Sequence, residues 1–211
     1  MTDGTYPGAE FDALSRRLLS PKNYANPKPQ PRYHLVVVGA GPAGLISAIG
    51  AASLGAKVAL IERHLMGGDC LNVGCMPSKS LLAYSKRPNA DFQQAFAWLR
   101  EVRAGIAPHD SVERYVEAGV DVFSGDARFN DAGNICVDGL PLHARRIALC
   151  MGASAALPGI PGLHESEPLT NETIFDLTEP PESLAILGAG AIGCELAQAF
   201  AGLGVLSLIH I

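Results

Sequence analysis

Four apolar residues in succession, Leu35-Val36-Val37-Val38, show no alternation with polar ones, the pattern of a β-strand covered on both faces. Residues 43–54 are mostly small and read as a helix ended near Gly55. Residues 58–61 are a second buried strand, closed by Glu62. Residues 66–75 have no period and read as turn-rich. A helix is expected over 77–85, with proline in its first turn. Residues 93–104 and 111–118 have the spacing of amphipathic helices. Residues 120–123, 127–129, 135–137 and 147–151 read as strands, with turns at Asp131-Ala132-Gly133 and Gly139. Before all of this, residues 1–32 read as an irregular arm. Two helical turns fit over 11–19, and Pro21, Pro27, Pro29 and Pro31 then enforce an extended lead-in. Prolines 158, 161, 168, 180 and 181 punctuate a linker, after which 184–187 begins another strand.

Composition narrows the class. Hydrophobic residues make up 48% of the 211 and charged residues 18%, enough apolar surface for a core and too much for a disordered chain. The net charge of −5 and the lack of any basic run argue against nucleic acid and anionic membrane surfaces as partners. Five cysteines, an odd number in a long apolar chain, argue against a secreted disulfide scaffold. Residues 35–56 carry no charge, yet five glycines and Pro42 break that stretch into strand, turn and helix rather than a membrane span. Charges at Asp3, Glu10, Asp12, Arg16 and Arg17 exclude a secretory signal, so a soluble, cytoplasmic protein is expected.

The most informative pattern is a repeat. Gly39-Ala40-Gly41-Pro42-Ala43-Gly44 recurs as Gly188-Ala189-Gly190-Ala191-Ile192-Gly193, and Leu54-Gly55 recurs at the same shift as Leu203-Gly204. In such a turn the first glycine makes the bend and the second lets backbone approach a pyrophosphate. The third lets helix and strand pack closely, with the helix amino end toward the anion. Glu62, at the end of the second strand, stands where an acid accepts ribose hydroxyls. The fold class expected is therefore α/β: a Rossmann-like domain of parallel sheet, helices and β-meander, then the first strand–turn–helix of a second such domain. In the second copy the position of Glu62 falls on Ile211, the last residue, so that unit is expected to be incomplete.

Cys70 and Cys75, five apart in a turn just before a helix, can close a small disulfide. Half of a zinc site and two buried thiols remain equally open from the spacing alone. The run Gly67-Gly68-Asp69-Cys70-Leu71-Asn72-Val73-Gly74-Cys75-Met76-Pro77-Ser78-Lys79 resembles the active-site signature of class I pyridine nucleotide–disulfide oxidoreductases. Pro158-Gly159-Ile160-Pro161-Gly162 and the second glycine motif fit the same family. Asp69, where threonine is commoner, and the lead-in Asn26-Pro27-Lys28-Pro29 resemble its mercuric reductase-like branch.

The resemblance implies an FAD-binding domain over residues 33–178 and the truncated start of an NAD(P)-binding domain over 179–205. Residues 206–211 read as a foreign tail. FAD would meet Gly39, Gly41 and Gly44 at its pyrophosphate and Glu62 at its ribose, with Asp69 and Gly152 also on the cofactor side. Cys75 would be the thiol against the flavin and Cys70 the one that meets substrate. Lys79 would lie near the flavin's reactive edge. Gly188, Gly190 and Gly193 would hold NAD or NADP, with Glu195 near the nicotinamide. Electrons would pass from NAD(P)H through FAD to the disulfide, and on to a small-molecule or metal-ion acceptor. Full-length members would be homodimers. No resident metal is expected.

The departures are a Cys150-Met151-Gly152 run where the family has Ala-Thr-Gly, and the family's histidine base, which is expected in a carboxy-terminal domain that these 211 residues do not reach. A chain that holds FAD without turnover is the alternative. The six histidines, 34, 64, 109, 143, 164 and 210, read as surface or loop residues, and Cys136, Cys150 and Cys194 as buried small hydrophobes.

Overall fold

A computed structural model describes residues 6–210, with the side chains of 207–210 outside the description, as is Ile211. In chain order the elements are α1 (Ala9–Leu19), β1 (Leu35–Val38), α2 (Pro42–Ser53), β2 (Val58–Glu62), α3 (Gly68–Asn72), α4 (Cys75–Tyr84), α5 (Phe92–Ile106) and α6 (Val112–Glu117). Then come β3 (Val120–Ser124), β4 (Ala127–Phe129), β5 (Ile135–Val137), β6 (Leu140–Leu142), β7 (Ile147–Leu149), β8 (Ser183–Leu187), α7 (Ala191–Gly202) and β9 (Leu206–His210). These form two compact units, residues 14–70 with 106–153, and residues 6–13 and 71–105 with 154–210. Among the described residues no helix is long and apolar enough to cross a membrane.

The first is a sheet unit. Its four parallel strands run in the order β3-β2-β1-β7. Val36 and Val37 are fully buried, as the unbroken apolar run requires. Tyr33, Val36, Val38, Ile61 and Phe123 pack on one face with Ile135, Val137 and Leu142 of the meander β4-β5-β6. Tyr33 meets Phe123 edge to face at 6.4 Å. The strand β6, which carries Pro141, was not among the strands expected from the sequence. Proline is tolerated there because β6 is the edge of the three-stranded sheet.

The second is largely helical. Leu81 and Tyr84 of α4, Phe92, Phe96 and Leu99 of α5, and Phe200 and Leu203 of α7 share one core with Ile174 and Phe175 of the linker. Phe92 stacks on Phe96 at 4.2 Å, and both rings approach Phe200 at 6.3 Å. The strands β8 and β9 pair in parallel as a two-stranded sheet. Arg100, 1% exposed, gathers distant segments in this unit. It donates to Pro7 O at 3.1 Å and Leu177 O at 2.9 Å and pairs with Asp12 at 3.2 Å.

Three expectations about helices need correction. The turn-rich stretch 66–75 contains the short helix α3, and α4 begins at Cys75 rather than Pro77. Pro77 stays within the first turn, where its missing N–H would have had no partner in any case. The helix α1 likewise starts two residues earlier than expected, at Ala9, inside the arm read as irregular.

Candidate functional site

In the sheet unit the first glycine turn sits where β1 lies between β2 and β7, so that chain connections diverge to either side, the usual place for a ligand at the carboxyl ends of parallel strands. Gly39 N donates to Ile61 O at 2.8 Å, and Cys150 N donates to Val38 O at 2.7 Å, fixing the turn between the two neighbours. Gly39 has φ +99°, and a Cβ there would strike Cys150 O. A Cβ on Gly44 would strike Gly39 O, so helix and strand touch as closely as the motif implies. Gly41 differs. Its φ of −77° suits any residue, and a Cβ would make only an ordinary 3.8 Å contact with the Gly68 Cα. Neither backbone nor packing demands glycine at 41, and no side chain caps the first turn of α2. Such a turn offers open space and uncapped N–H groups to a group that is not protein.

The Glu62 carboxylate faces the same turn. Its Oε2 accepts from Ala40 N at 2.7 Å, and its Oε1 accepts from Arg63 N at 2.9 Å and His64 N at 2.8 Å. Two oxygens with about four lone-pair sites leave room for a further donor such as a hydroxyl. The signature locks onto the turn from the other side. Gly67 N donates to Ala40 O at 2.9 Å, and a Cβ on Gly68 would lie 2.5 Å from the Gly41 Cα. Gly67 and Gly68 were missed as turn partners from sequence; only their doubled glycine hinted at a close approach.

Within the same unit Cys70 is half-buried on α3 and Asp69 is exposed beside it. A Cβ on Gly152 would come within 3.7 Å of Asp69 Oδ2, so these two candidates are neighbours. The strand expected over 147–151 is shorter than that. β7 ends at Leu149, and Gly152 lies beyond it with φ +68°. The pairing stops because the Cys150–Val38 bond is the last before β1 turns away at Gly39.

In the helical unit Cys75 is the exposed first residue of α4, with Gly74 before it. Lys79, one turn on, pairs with Glu195 of α7 at 3.0 Å to Oε1 and 3.3 Å to Oε2. The sequence reading named both residues but did not pair them; their separation in the chain hid the contact. Gly188 and Gly190 of the second turn are exposed, whereas Gly193 is half-buried, a Cβ there striking Gly188 O. Ile211, the position matching Glu62, lies outside the described residues.

The spare cysteines are not buried as expected. Cys136 and Cys150 are half-buried and Cys194 is exposed, its thiol directed to Ala189 O at 3.4 Å in the open second turn. His34, His64, His109, His143 and His164 are exposed. The His210 side chain lies outside the described residues.

A family model described as pyridine nucleotide-disulphide oxidoreductase matches residues 33–211. The chain belongs to that family. It is 36% identical over 188 residues to the mercuric reductase of Staphylococcus aureus, covering 82% of this chain and 34% of that protein. It is 33% identical over 192 residues to the dihydrolipoyl dehydrogenase of Acholeplasma laidlawii, covering 82% of this chain and 57% of that one. A mutant of the HOCl-induced flavoprotein disulfide reductase RclA from Escherichia coli, solved as a Cu(II) complex, superposes with a TM-score of 0.78 at 31% identity. That match covers 85% of this chain and 42% of the reductase. The chain therefore spans about a third to three-fifths of the length of these relatives. Pyridine nucleotide–disulphide oxidoreductases are enzymes that use FAD and NAD(P)H, and the Rossmann-like fold expected from the sequence is the one observed.

Proposed function

We propose that this chain holds FAD at the first glycine turn and carries, in Cys70 and Cys75, the thiol pair through which the whole protein moves electrons from NAD(P)H to an acceptor. The observation that carries this reading is Gly41, a glycine required by neither conformation nor packing, at an uncapped helix end beside Glu62. Gly39 and Gly44 shape the turn, Gly41 leaves room for the pyrophosphate, and Glu62 accepts from a ribose hydroxyl. Asp69 and Gly152 flank the path toward the reactive ring. Bound FAD supplies two-electron chemistry between a hydride donor and a disulfide. Reduction of a Cys70–Cys75 disulfide takes up two electrons and two protons to give two thiols, and Cys70 then passes the electrons on. Lys79 places positive charge on α4, held in orientation by Glu195. Gly188, Gly190 and Gly193 receive NAD or NADP. The names of the relatives point to a small-molecule or metal-ion acceptor, and a homodimer is the assembly this reading carries for the full-length protein.

A second reading is favoured by one observation. Among the described residues the second turn is exposed and backed by two strands, which suits a module that holds FAD without turnover. One experiment tests both. Purified protein mixed with FAD and passed through a desalting column should emerge yellow; colourless folded protein overturns the FAD reading. Addition of NADH or NADPH to the yellow protein should then bleach the flavin absorbance. Retention of colour in both would leave the module.

A further inference from the structure

The join between the two cysteines is held from outside. It consists of Leu71, Asn72, Val73 and Gly74, where α3 gives way to α4. Arg103 of α5 donates through Nη1 to Asn72 O at 3.1 Å, and Asn171 of the linker donates more loosely to Val73 O at 3.5 Å. Arg103 is 9% exposed, so its charge is largely out of water and needs a partner of opposite sign. Asp12 of α1 supplies it. Its Oδ1 accepts from Arg103 Nη2, while its Oδ2 accepts from the Tyr6 hydroxyl at 2.9 Å and faces Arg100 Nε at 3.2 Å. All of these residues belong to the helical unit. The family match begins at residue 33 and does not include α1. One guanidinium thus connects a helix outside that match to the carbonyl midway between the two cysteines.

We propose that Arg103 is a positioning residue for the Cys70–Cys75 pair, fixing the join between the thiols, and that Asp12 makes α1 part of the same device. The proposal rests on the reading that these two cysteines form the redox disulfide. A disulfide needs its two Cα atoms within about 4.4–6.8 Å and its Cβ vectors turned toward each other. A free join of four residues samples many shapes and loses conformational entropy when the ring closes. A join anchored at Asn72 O has already lost much of it on folding, so each thiol meets the other at a higher effective concentration. Arginine suits the task because its planar fork sends donors in fixed directions, one Nη to a carbonyl and the other to a carboxylate. Lysine, a single ammonium on a flexible stem, does not reproduce that fork. Loosening the anchor therefore moves the balance from disulfide toward dithiol.

The test equilibrates the full chain with mixtures of reduced and oxidised dithiothreitol. Oxidised dithiothreitol takes two electrons and two protons from the Cys70 and Cys75 thiols, leaving a protein disulfide and reduced dithiothreitol. Acid quenching, alkylation and mass measurement of the peptide carrying both cysteines give the fraction oxidised. Arg103→Met should shift the equilibrium toward dithiol by about tenfold, which is about 30 mV. Asp12→Asn should shift it the same way by about threefold, and Arg103→Lys should fall between Arg103→Met and the unmodified chain. Leu99→Ala, which removes buried packing from the same helix, should lower the melting temperature and leave the equilibrium within about twofold. A folded Arg103→Met protein with an unaltered equilibrium overturns the proposal. So does a Leu99→Ala shift as large as that of Arg103→Met. Should Arg103→Met fail to fold, Arg103→Lys and Asp12→Asn decide, and an unaltered equilibrium in both overturns it. Absence of a Cys70–Cys75 disulfide from the unmodified chain at every ratio overturns the disulfide reading itself, and the positioning role with it.

Discussion

The two glycine turns have nearly the same backbone and very different surroundings. Gly39 and Gly188 have φ of +99° and +103°, and Gly41 and Gly190 precede their helices with φ of −77° and −70°. In both, the third glycine presses on the carbonyl of the first. Yet the first turn follows a strand whose last three residues are buried in a four-stranded sheet, while β8 has no fully buried residue. The first turn also has a carboxylate on Ala40 N and a doubled glycine against Gly41. The local shape of a nucleotide turn is written in six residues. What makes it a site is the sheet, the acid and the neighbouring loop that surround it.

The sharpest way to break the comparison is to place a side chain on each third glycine. Gly44→Val should cost more than about 4 kcal/mol and leave little folded protein, because the turn it disrupts is locked between β2 and β7. Gly193→Val meets the same kind of obstacle at the edge of a two-stranded sheet and should cost about 1–3 kcal/mol. Denaturant titration followed by circular dichroism compares the two. Equal losses would show that the surroundings of the turn do not matter.

The second glycines separate folding from binding. Gly41→Val should change stability by less than about 1 kcal/mol, since no clash is built in, yet weaken FAD by about a hundredfold or more. Gly190→Val should leave FAD affinity as it is. Calorimetric titration of both variants with FAD checks this, and loss of FAD from the Gly190 variant would place the cofactor at the wrong turn.

A smaller effect distinguishes the sheet unit by pH. Burial pushes the Tyr33 phenol well above its ordinary value of about 10, and its bond to Asp121 Oδ2 at 2.7 Å adds to this. A folded-state value above the unfolded one means the contribution is fully present below about pH 10 and is lost as pH rises toward the folded value. Melting temperature should fall as pH is raised above about 10, and Tyr33→Phe should flatten that fall. The same variant should lose about 1–2 kcal/mol at pH 7 through the hydrogen bonds it forgoes.

What was legible in the sequence is what neighbours in the chain decide. β1, α2 and β2 follow from an unbroken valine run, a small-residue helix and a second apolar run, each shaped by its own residues. The turn glycines carry their own steric reasons. The short helix α3 was hidden because five residues hold too little periodicity to be read. Long-range partners were hidden for a different reason: Lys79 and Glu195 are 116 residues apart, and Tyr24 and Val122 are 98 apart. Lys79 and Glu195 each look solvated in their own stretch of chain, and nothing near Tyr24 points to β3. Cys194 misled because cysteine is usually buried, while the two-stranded sheet beside it leaves it uncovered.

Arg100 has a consequence for the order in which the protein is made. Its donors reach Pro7 and Asp12, already synthesised when Arg100 leaves the ribosome, and Leu177, which follows 77 residues later. At ~5–20 residues per second that interval is roughly 4–15 s. The sheet unit needs nothing beyond residue 153, so all of its strands are available during this wait. Vectorial synthesis therefore gives the unit carrying the first glycine turn a head start of seconds. The guanidinium at the centre of the helical unit stays incompletely partnered until the linker arrives.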